Sequence, residues 1–582
     1  MLHSRIFRSQ RFGAGLLATI VLAANVCCGA DPVNLDDLLK EYQKHGLPLP
    51  TKTAKLVKYD TGWASVDKDN NRLANHFGIG FELQPATEGK KQILLLGTNL
   101  IGGYECQEIK PVVDSLKGLR YNEDSDLIHA IQCHSMGWDA VAHFLYERSQ
   151  KDVEEKPELN TIAWSYWMGQ VTEPKIDRAP VAKRLNALMA IDKTLDTEFH
   201  RSLIKSLELS LVPSKAKPGS IESLVDALVD DSTTYGFGGC HQSEQFWNLV
   251  KLGFDAVPIL IESLDDTRLT RATLQGFNNT PTRNLRVQDI AGDLIKGLAD
   301  RDLIRGSEHT VQKSDALKWW ETAKKGGEES YLFDGVLPQK NKEERVVINE
   351  HCFAALNYKY PQRIPSLYRT VLETRPDVQS WEFAEAIAQS KQSDKNKIEL
   401  FLLASHHADF RHRLPGLRFL SKLDPKSFGR ILTETLENIP VDVAEKYRTY
   451  TGAHFVALAI ESDDPRIWPV LEKVVHRSSL GLKMQMLERL SNREDKRHLS
   501  TRMKLLVQFL DDDTVRDQKS NEKFDGPCAG FPYRKIELRN FVATQLAALL
   551  DIPIETDEKR TPVEWAAIRD RVRRKWAETM KQ

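Results

Sequence analysis

The chain has little cysteine: seven in 582 residues, with Cys106, Cys133, Cys240, Cys352 and Cys528 widely scattered. A disulfide-framework domain is thereby excluded, because such folds need dense cysteines in a short chain. It also lacks charge of one sign, with 81 basic residues against 82 acidic ones and a formal net charge of −1. Composition therefore gives nucleic-acid binding no support. No apolar run after the N-terminus is long enough to span a bilayer, so no transmembrane segment is expected once a leader is removed. The signatures Gly-x-Ser-x-Gly, His-Glu-x-x-His, the P-loop, Cys-x-x-Cys and Cys-x-x-Cys-His are all missing. The common hydrolase, zincin, nucleotide-binding and covalent-haem readings lose their basis with them.

What remains is 41% hydrophobic, enough for a large core and too long for one compact domain. The N-terminus reads as a secretory signal. Arg5, Arg8 and Arg11 form a basic start without an acidic residue, Ala14 to Val26 is apolar, and Cys28-Gly29-Ala30 supplies small residues before Asp31. Cleavage after Ala30 is expected, placing the protein in the periplasm or cell envelope. Cys27 and Cys28 also admit lipid processing, against which Val26 is a poor fit. Removing residues 1–30 takes three basic residues and no acidic one, leaving 78 against 82, a net of −4.

Residues 31–120 differ from the rest. A helix over Asp36 to Gly46 stops at Leu47-Pro48-Leu49-Pro50, and Phe77 to Leu83 and Gln92 to Leu96 read as short strands of a small hairpin or sheet. From Ser125 onward, apolar residues recur at three-to-four spacing, as in Leu127, Ile128, Ile131, Val141, Ala142 and Leu145. Gly137 marks a turn between two helices. Ser220 suits an N-cap for a helix from Ile221 to Val229, and Asp255 one for Ala256 to Leu264, with Pro258 tolerated in the first turn. The polar stretch Gly335 to Glu344 sets a boundary between a first helical array, residues 121–335, and a second, residues 336–582.

Two stretches about 250 residues apart spell the same unit. One runs Leu264-Asp265-Asp266-Thr267, Leu285-Arg286, Ile290-Ala291 and Lys318-Trp319-Trp320-Glu321-Thr322; the other runs Leu510-Asp511-Asp512, Thr514, Leu538-Arg539, Val542-Ala543 and Lys575-Trp576-Ala577-Glu578-Thr579. Val229-Asp230-Asp231 with Thr233 is a fainter opening. Self-similarity of this kind marks stacked helical repeats. The run Leu252-Gly253-Phe254-Asp255-Ala256-Val257-Pro258-Ile259-Leu260-Ile261 resembles the first helix of a bacterial HEAT-like repeat, and Asp463-Asp464-Pro465-Arg466 with Trp468-Pro469-Val470-Leu471 resembles it too. The resemblance implies an all-α chain, an α-solenoid of HEAT-like helix hairpins, used as a scaffold or binding surface.

The chain departs from that pattern by long insertions where a short turn belongs: Thr233 to His241, Thr267 to Asn284 and Asp513 to Glu537. Insertions at one point of a repeat emerge on one edge, where binding concentrates. Tyr235, Phe237, Phe277, Asn278, Asn279, Phe524, Phe531 and Tyr533 are the candidate partner-binding residues.

Chemistry-bearing clusters are weak. Cys133-His134, Cys240-His241 and His351-Cys352 are adjacent pairs, but neighbours on a helix point about 100° apart and a zinc site needs about four converging ligands. Asp67, Asp69 and Asn71 open a calcium-loop pattern that fails at Arg72 and Gly78. His406, His407 and His412 read as a polar face, Trp319, Trp320 and Trp576 as packing residues, and the Asp-Asp pairs as turn and cap residues. The reading is therefore an exported, non-catalytic scaffold with a protein partner, no nucleic acid, no cofactor and no catalytic or metal residue. The alternative is an envelope enzyme or metal-binding protein using the Cys/His positions and inserted loops.

Overall fold

The computed structural model describes residues 34–66, 72–83, 92–95, 99–102, 106–116, 123–150, 158–235, 243–274, 283–299, 311–337, 348–375, 377–378, 380–439, 452–517, 535–554 and 560–581. These residues are mostly helical, with a few short strands. The chain divides into two compact units, residues 1–204 and 205–582. Leu116 shares a core with Ala130 and Cys133, and Val336 shares one with Ile348.

In the first unit, β1 (Lys55–Val66), β2 (Arg72–Leu83), β3 (Gln92–Leu95), β4 (Asn99–Gly102) and β5 (Cys106–Glu108) form one sheet in the order β4-β3-β2-β1-β5. All pairings are antiparallel, and Phe81 faces Leu94 where the sequence placed its two strands. Leu56, Ile79 and Phe81 bury against Cys133, Val141 and Leu145. Those come from the helices Glu123–Ser135 and Asp139–Ser149, which turn at Gly137 with φ +79°. Phe81 stacks on Trp138 at 5.8 Å between ring centroids. Each such burial is worth about 1.5–3 kcal/mol of transfer free energy. The helix Leu35–Lys44 is capped by Asn34, and the hydroxyl of its buried Tyr42 donates to the Pro48 carbonyl at 2.9 Å.

The second unit has one continuous core, reaching from Val225 to Val572. Many of its helices begin at a side-chain cap, because the first amides of a helix have no internal partner. Ser220 accepts from Ser223, Ser243 from Phe246, Ser393 from Asn396 and Asp424 from Ser427. Asp255 does not serve as the expected cap. It lies in the 3-10 turn Gly253–Asp255, the following helix Val257–Glu262 has no side-chain cap, and the Asp255 carboxylate takes the Lys359 ammonium at 2.9 Å instead. The turn runs straight into the helix through Ala256 in helical conformation, so Asp255 sits within the helical turn and not ahead of it.

The insertions also open differently from the loops read in sequence. β7 (Leu269–Leu274) and β8 (Arg283–Arg286) form an antiparallel ribbon, joined on its β7 side by the parallel β6 (Thr234–Tyr235). β9 (Val515–Asp517) and β10 (Lys535–Glu537) form a second ribbon. Backbone pairing at the roots satisfies amides that a solvent loop would leave to water.

Candidate interaction site

The repeated unit carries its insertion at a fixed corner. After the 3-10 turn Ser263–Asp265, the Asp266 carboxylate accepts from the Arg268 amide at 3.0 Å. The chain runs out along β7, returns along β8 and enters the helix Val287–Ala299. Val287 then donates to the Arg268 carbonyl at 3.0 Å, and Gln288 to the Asp266 carbonyl at 2.9 Å. The second copy reproduces each bond. Asp512 accepts from the Thr514 amide at 3.0 Å, Leu538 donates to the Thr514 carbonyl at 2.8 Å, and Arg539 to the Asp512 carbonyl at 2.8 Å. At the faint third opening, Asp231 accepts from the Thr233 amide at 2.9 Å. The Thr233 carbonyl accepts from Thr273 at 3.1 Å, so two insertion roots lie side by side in one sheet.

Of the candidate binding residues, Tyr235 ends β6, paired across the sheet with Leu274. Phe237, Phe277, Asn278, Asn279, Phe524, Phe531 and Tyr533 lie outside the described residues, as do Cys240, His241, Asp67, Asp69 and Asn71. The structure therefore positions the roots of the insertions.

At the root of the β9–β10 insertion is a cleft of about 230 Å³. Among the described residues its walls carry Lys535, Arg539, Arg560 and Arg569 together with the carboxylate of Glu537. Glu537 takes the Arg539 Nε at 2.5 Å and the Asn540 amide at 3.3 Å. The Arg539 guanidinium beside it holds its carboxyl below the usual range. Asn540, buried on the helix Leu538–Leu549, gives its carbonyl oxygen to Arg569. Burial and the neighbouring Arg539 push the Arg569 guanidinium down from its ordinary value. The floor is apolar: buried Ile536 and Trp565, with the Arg560 guanidinium 4.8 Å above the Trp565 ring. Sequence reasoning missed this group because Arg569 is 30 residues from Arg539, and only the packing of the helix Pro562–Thr579 brings it in.

The two Cys/His pairs among the described residues are held by structural contacts. His134 bridges Asp36 at 3.0 Å and Asp139 at 2.8 Å. Cys133 is buried, and burial pushes its thiol up to about 12. Cys352 donates to the Leu298 carbonyl at 3.6 Å, while His351 lies 5.6 Å from the Phe246 ring. Among the described residues, no group of three or more His, Cys, Asp or Glu side chains is placed to hold a metal ion. The histidines do not form one polar face: His412 is fully buried, its ring 4.4 Å from His407, and His407 Nδ1 accepts from the Asp409 amide at 2.9 Å. Trp319 donates to the Tyr331 hydroxyl at 2.9 Å and Trp320 packs edge-on to Phe254 at 5.0 Å.

A further local device was spelled in the sequence and passed over. In Asp266-Thr267-Arg268, Asp409-Phe410-Arg411, Asp464-Pro465-Arg466 and Asp495-Lys496-Arg497, the aspartate accepts from the arginine's own amide and from its guanidinium. Such a clamp closes a helix corner with a fixed, charge-assisted geometry. Arg497 lowers the Asp495 carboxyl to about 2.

Among the described residues, no helix is long and apolar enough to cross a membrane. No protein-family model, curated protein or solved structure matches the chain.

Proposed function

We propose that the chain is an exported, non-catalytic α-solenoid of HEAT-like hairpins that binds a protein partner along the edge from which its insertions emerge. The stacking of helices supports the solenoid reading. In residues 364–490, Ile364–Thr374 packs on both Trp381–Gln389 and Asp394–Ser405, and Trp381–Gln389 packs on Phe410–Leu423. Pro425–Glu437 packs on Ile467–Arg477, and Gly452–Glu461 on Leu480–Leu490. Helix hairpins that cannot bury their apolar stripes alone are stabilised by such neighbours. The basic, apolar N-terminal stretch supports export.

The observation that carries the binding role is the corner. Two insertions leave repeated units through hydrogen bonds that match bond for bond at Asp266 and Asp512. A rigid helical frame that presents long insertions at matched points is suited to recognition. The test is capture from cell-envelope extract with the full chain as bait, beside a folded bait carrying Phe277→Ala, Phe524→Ala and Phe531→Ala. Capture of a partner by the unaltered bait alone is the expected result. Capture by both baits removes the insertions from the reading, and capture by neither overturns it.

A further inference from the structure

Among the described residues, the Oε2 of Glu382 is buried with no hydrogen-bond partner. Glu382 stands in the first turn of the helix Trp381–Gln389. Two carboxylates act on it: Glu350, in the first turn of the helix Glu350–Lys359, and Glu385, one turn along its own helix. The two helices meet where the Phe353 and Phe383 rings pack edge-on at 5.0 Å. Burial pushes the Glu382 carboxyl above its ordinary value, and repulsion from Glu350 and Glu385 adds to it; the bond from its own amide offsets only part. Losing the proton therefore adds a third like charge at this joint and leaves the buried oxygen without water, which is costly.

The other packed helices direct their charged groups elsewhere or into solvent. On Ile364–Thr374, Arg369 takes Glu399 at 2.8 Å, while the buried Tyr368 hydroxyl lies beside Ser380. On Asp394–Ser405, Lys397 donates to the Ala388 carbonyl at 2.9 Å, at the opposite end of the Trp381–Gln389 helix. On Phe410–Leu423, Phe419 meets Trp381 at 6.1 Å, Arg418 takes Glu461 at 2.7 Å and Lys422 is exposed. We propose that the joint between the helices Glu350–Lys359 and Trp381–Gln389 is an acid-tightened latch, closed by a proton on Glu382 and loosened when that proton is lost. The folded state holds the proton more tightly than the unfolded one, so the contribution is present at low pH. It is lost as pH rises from the unfolded value of about 4.3 through the higher native one.

Hydrogen exchange of the full chain, read by mass spectrometry on peptides covering Trp381–Gln389 and corrected for intrinsic exchange rates, tests the latch. Protection of these amides in the wild-type chain is expected to fall by about threefold to tenfold between pH 5 and pH 8, since one pKa unit corresponds to a factor of about ten. Glu382→Gln keeps the shape and removes the titration, so its protection should be flat over the same range. Glu350→Gln leaves Glu382 in place and removes one repelling carboxylate, so its slope should shrink without vanishing; it also serves as the reading if E382Q does not fold, which near-UV circular dichroism checks. Lys422→Gln, an exposed cation on the helix packed against Trp381, should keep the wild-type slope. Flat protection in the wild-type chain, or a wild-type slope in E382Q, overturns the latch. A wild-type slope in E350Q overturns the part of the joint made by the helix Glu350–Lys359, and a loss of slope in K422Q equal to that in E382Q overturns Glu382 as the titrating group.

Discussion

Glu328 Oε1 accepts the backbone amide of Phe254 at 2.7 Å across 74 residues of sequence. The same carboxylate takes the Tyr360 hydroxyl at 2.9 Å and the Lys359 ammonium at 2.5 Å. It therefore ties the helices Glu328–Val336 and Glu350–Lys359 to the turn at Gly253, whose φ is +55°. A Cβ on Gly253 would meet the Glu328 Oε1. Gly253→Ala is expected to destabilise the chain by about 2 kcal/mol, from backbone strain and loss of this contact together. Gly326→Ala, with open space around its Cβ, should shift stability by less than about 0.5 kcal/mol. Urea midpoints of the two variants check the contrast.

The parts of the fold that sequence revealed are those written in local pattern. The Gly137 turn and the Ser220 cap were readable because turn and capping preferences act within a few residues. β1 was passed over although Val57-Lys58-Tyr59-Asp60 alternates apolar and polar residues as a half-buried strand does. The Asp266 and Asp512 corners were visible as repeated letters, yet the strands at the insertion roots were not, because their pairing is between segments distant in sequence. Asp255 shows a cap preference overridden by the 3-10 turn Gly253–Asp255, which runs straight into the helix. The cleft at the β9–β10 root was invisible because Lys535 and Arg569 come to line it only through tertiary packing.

Arg502 is fully buried and donates to four carbonyls: Leu490 at 2.7 Å, Asn492 at 2.5 Å, Asp495 at 2.5 Å and Arg497 at 3.2 Å. It thus closes the C-terminal end of the helix Leu480–Leu490 and the loop after it. Arg502→Met leaves those oxygens without their donors and is expected to cost about 3 kcal/mol. Lys504→Ala, at an exposed position on the next helix, should stay within about 0.5 kcal/mol. An R502M midpoint equal to that of K504A in urea would remove the loop-closing role.

Cys133 and Cys352 are buried thiols, and reactivity requires an accessible thiolate. Burial raises Cys133 to about 12, so almost none of it is ionised at neutral pH. Iodoacetamide at pH 7.5 is expected to leave both unmodified in the native chain and to alkylate both in 6 M guanidinium. Peptide mapping reads the two sites separately. Rapid native modification of Cys133 would show that the sheet–helix core of the first unit opens far more often than its packing implies.

His134 gives the first unit a pH signature. Burial opposes its charge, but its bonds to Asp36 and Asp139 outweigh that and raise its pKa above the ordinary value. A raised native pKa means the folded state binds the proton more tightly than the unfolded one. The stabilisation is then complete below the unfolded value of about 6.5 and is lost as pH rises through the native value. His454 has the opposite sign, because burial lowers its pKa and its contribution grows with pH. The difference between the wild-type chain and His134→Gln isolates the first effect. That difference in unfolding midpoint should favour wild type at pH 5.5, shrink as pH rises through and above 6.5, and nearly vanish by pH 9. A difference that grows with pH would mean that the ring is neutral in the fold and serves only as a hydrogen-bonding spacer between the two aspartates.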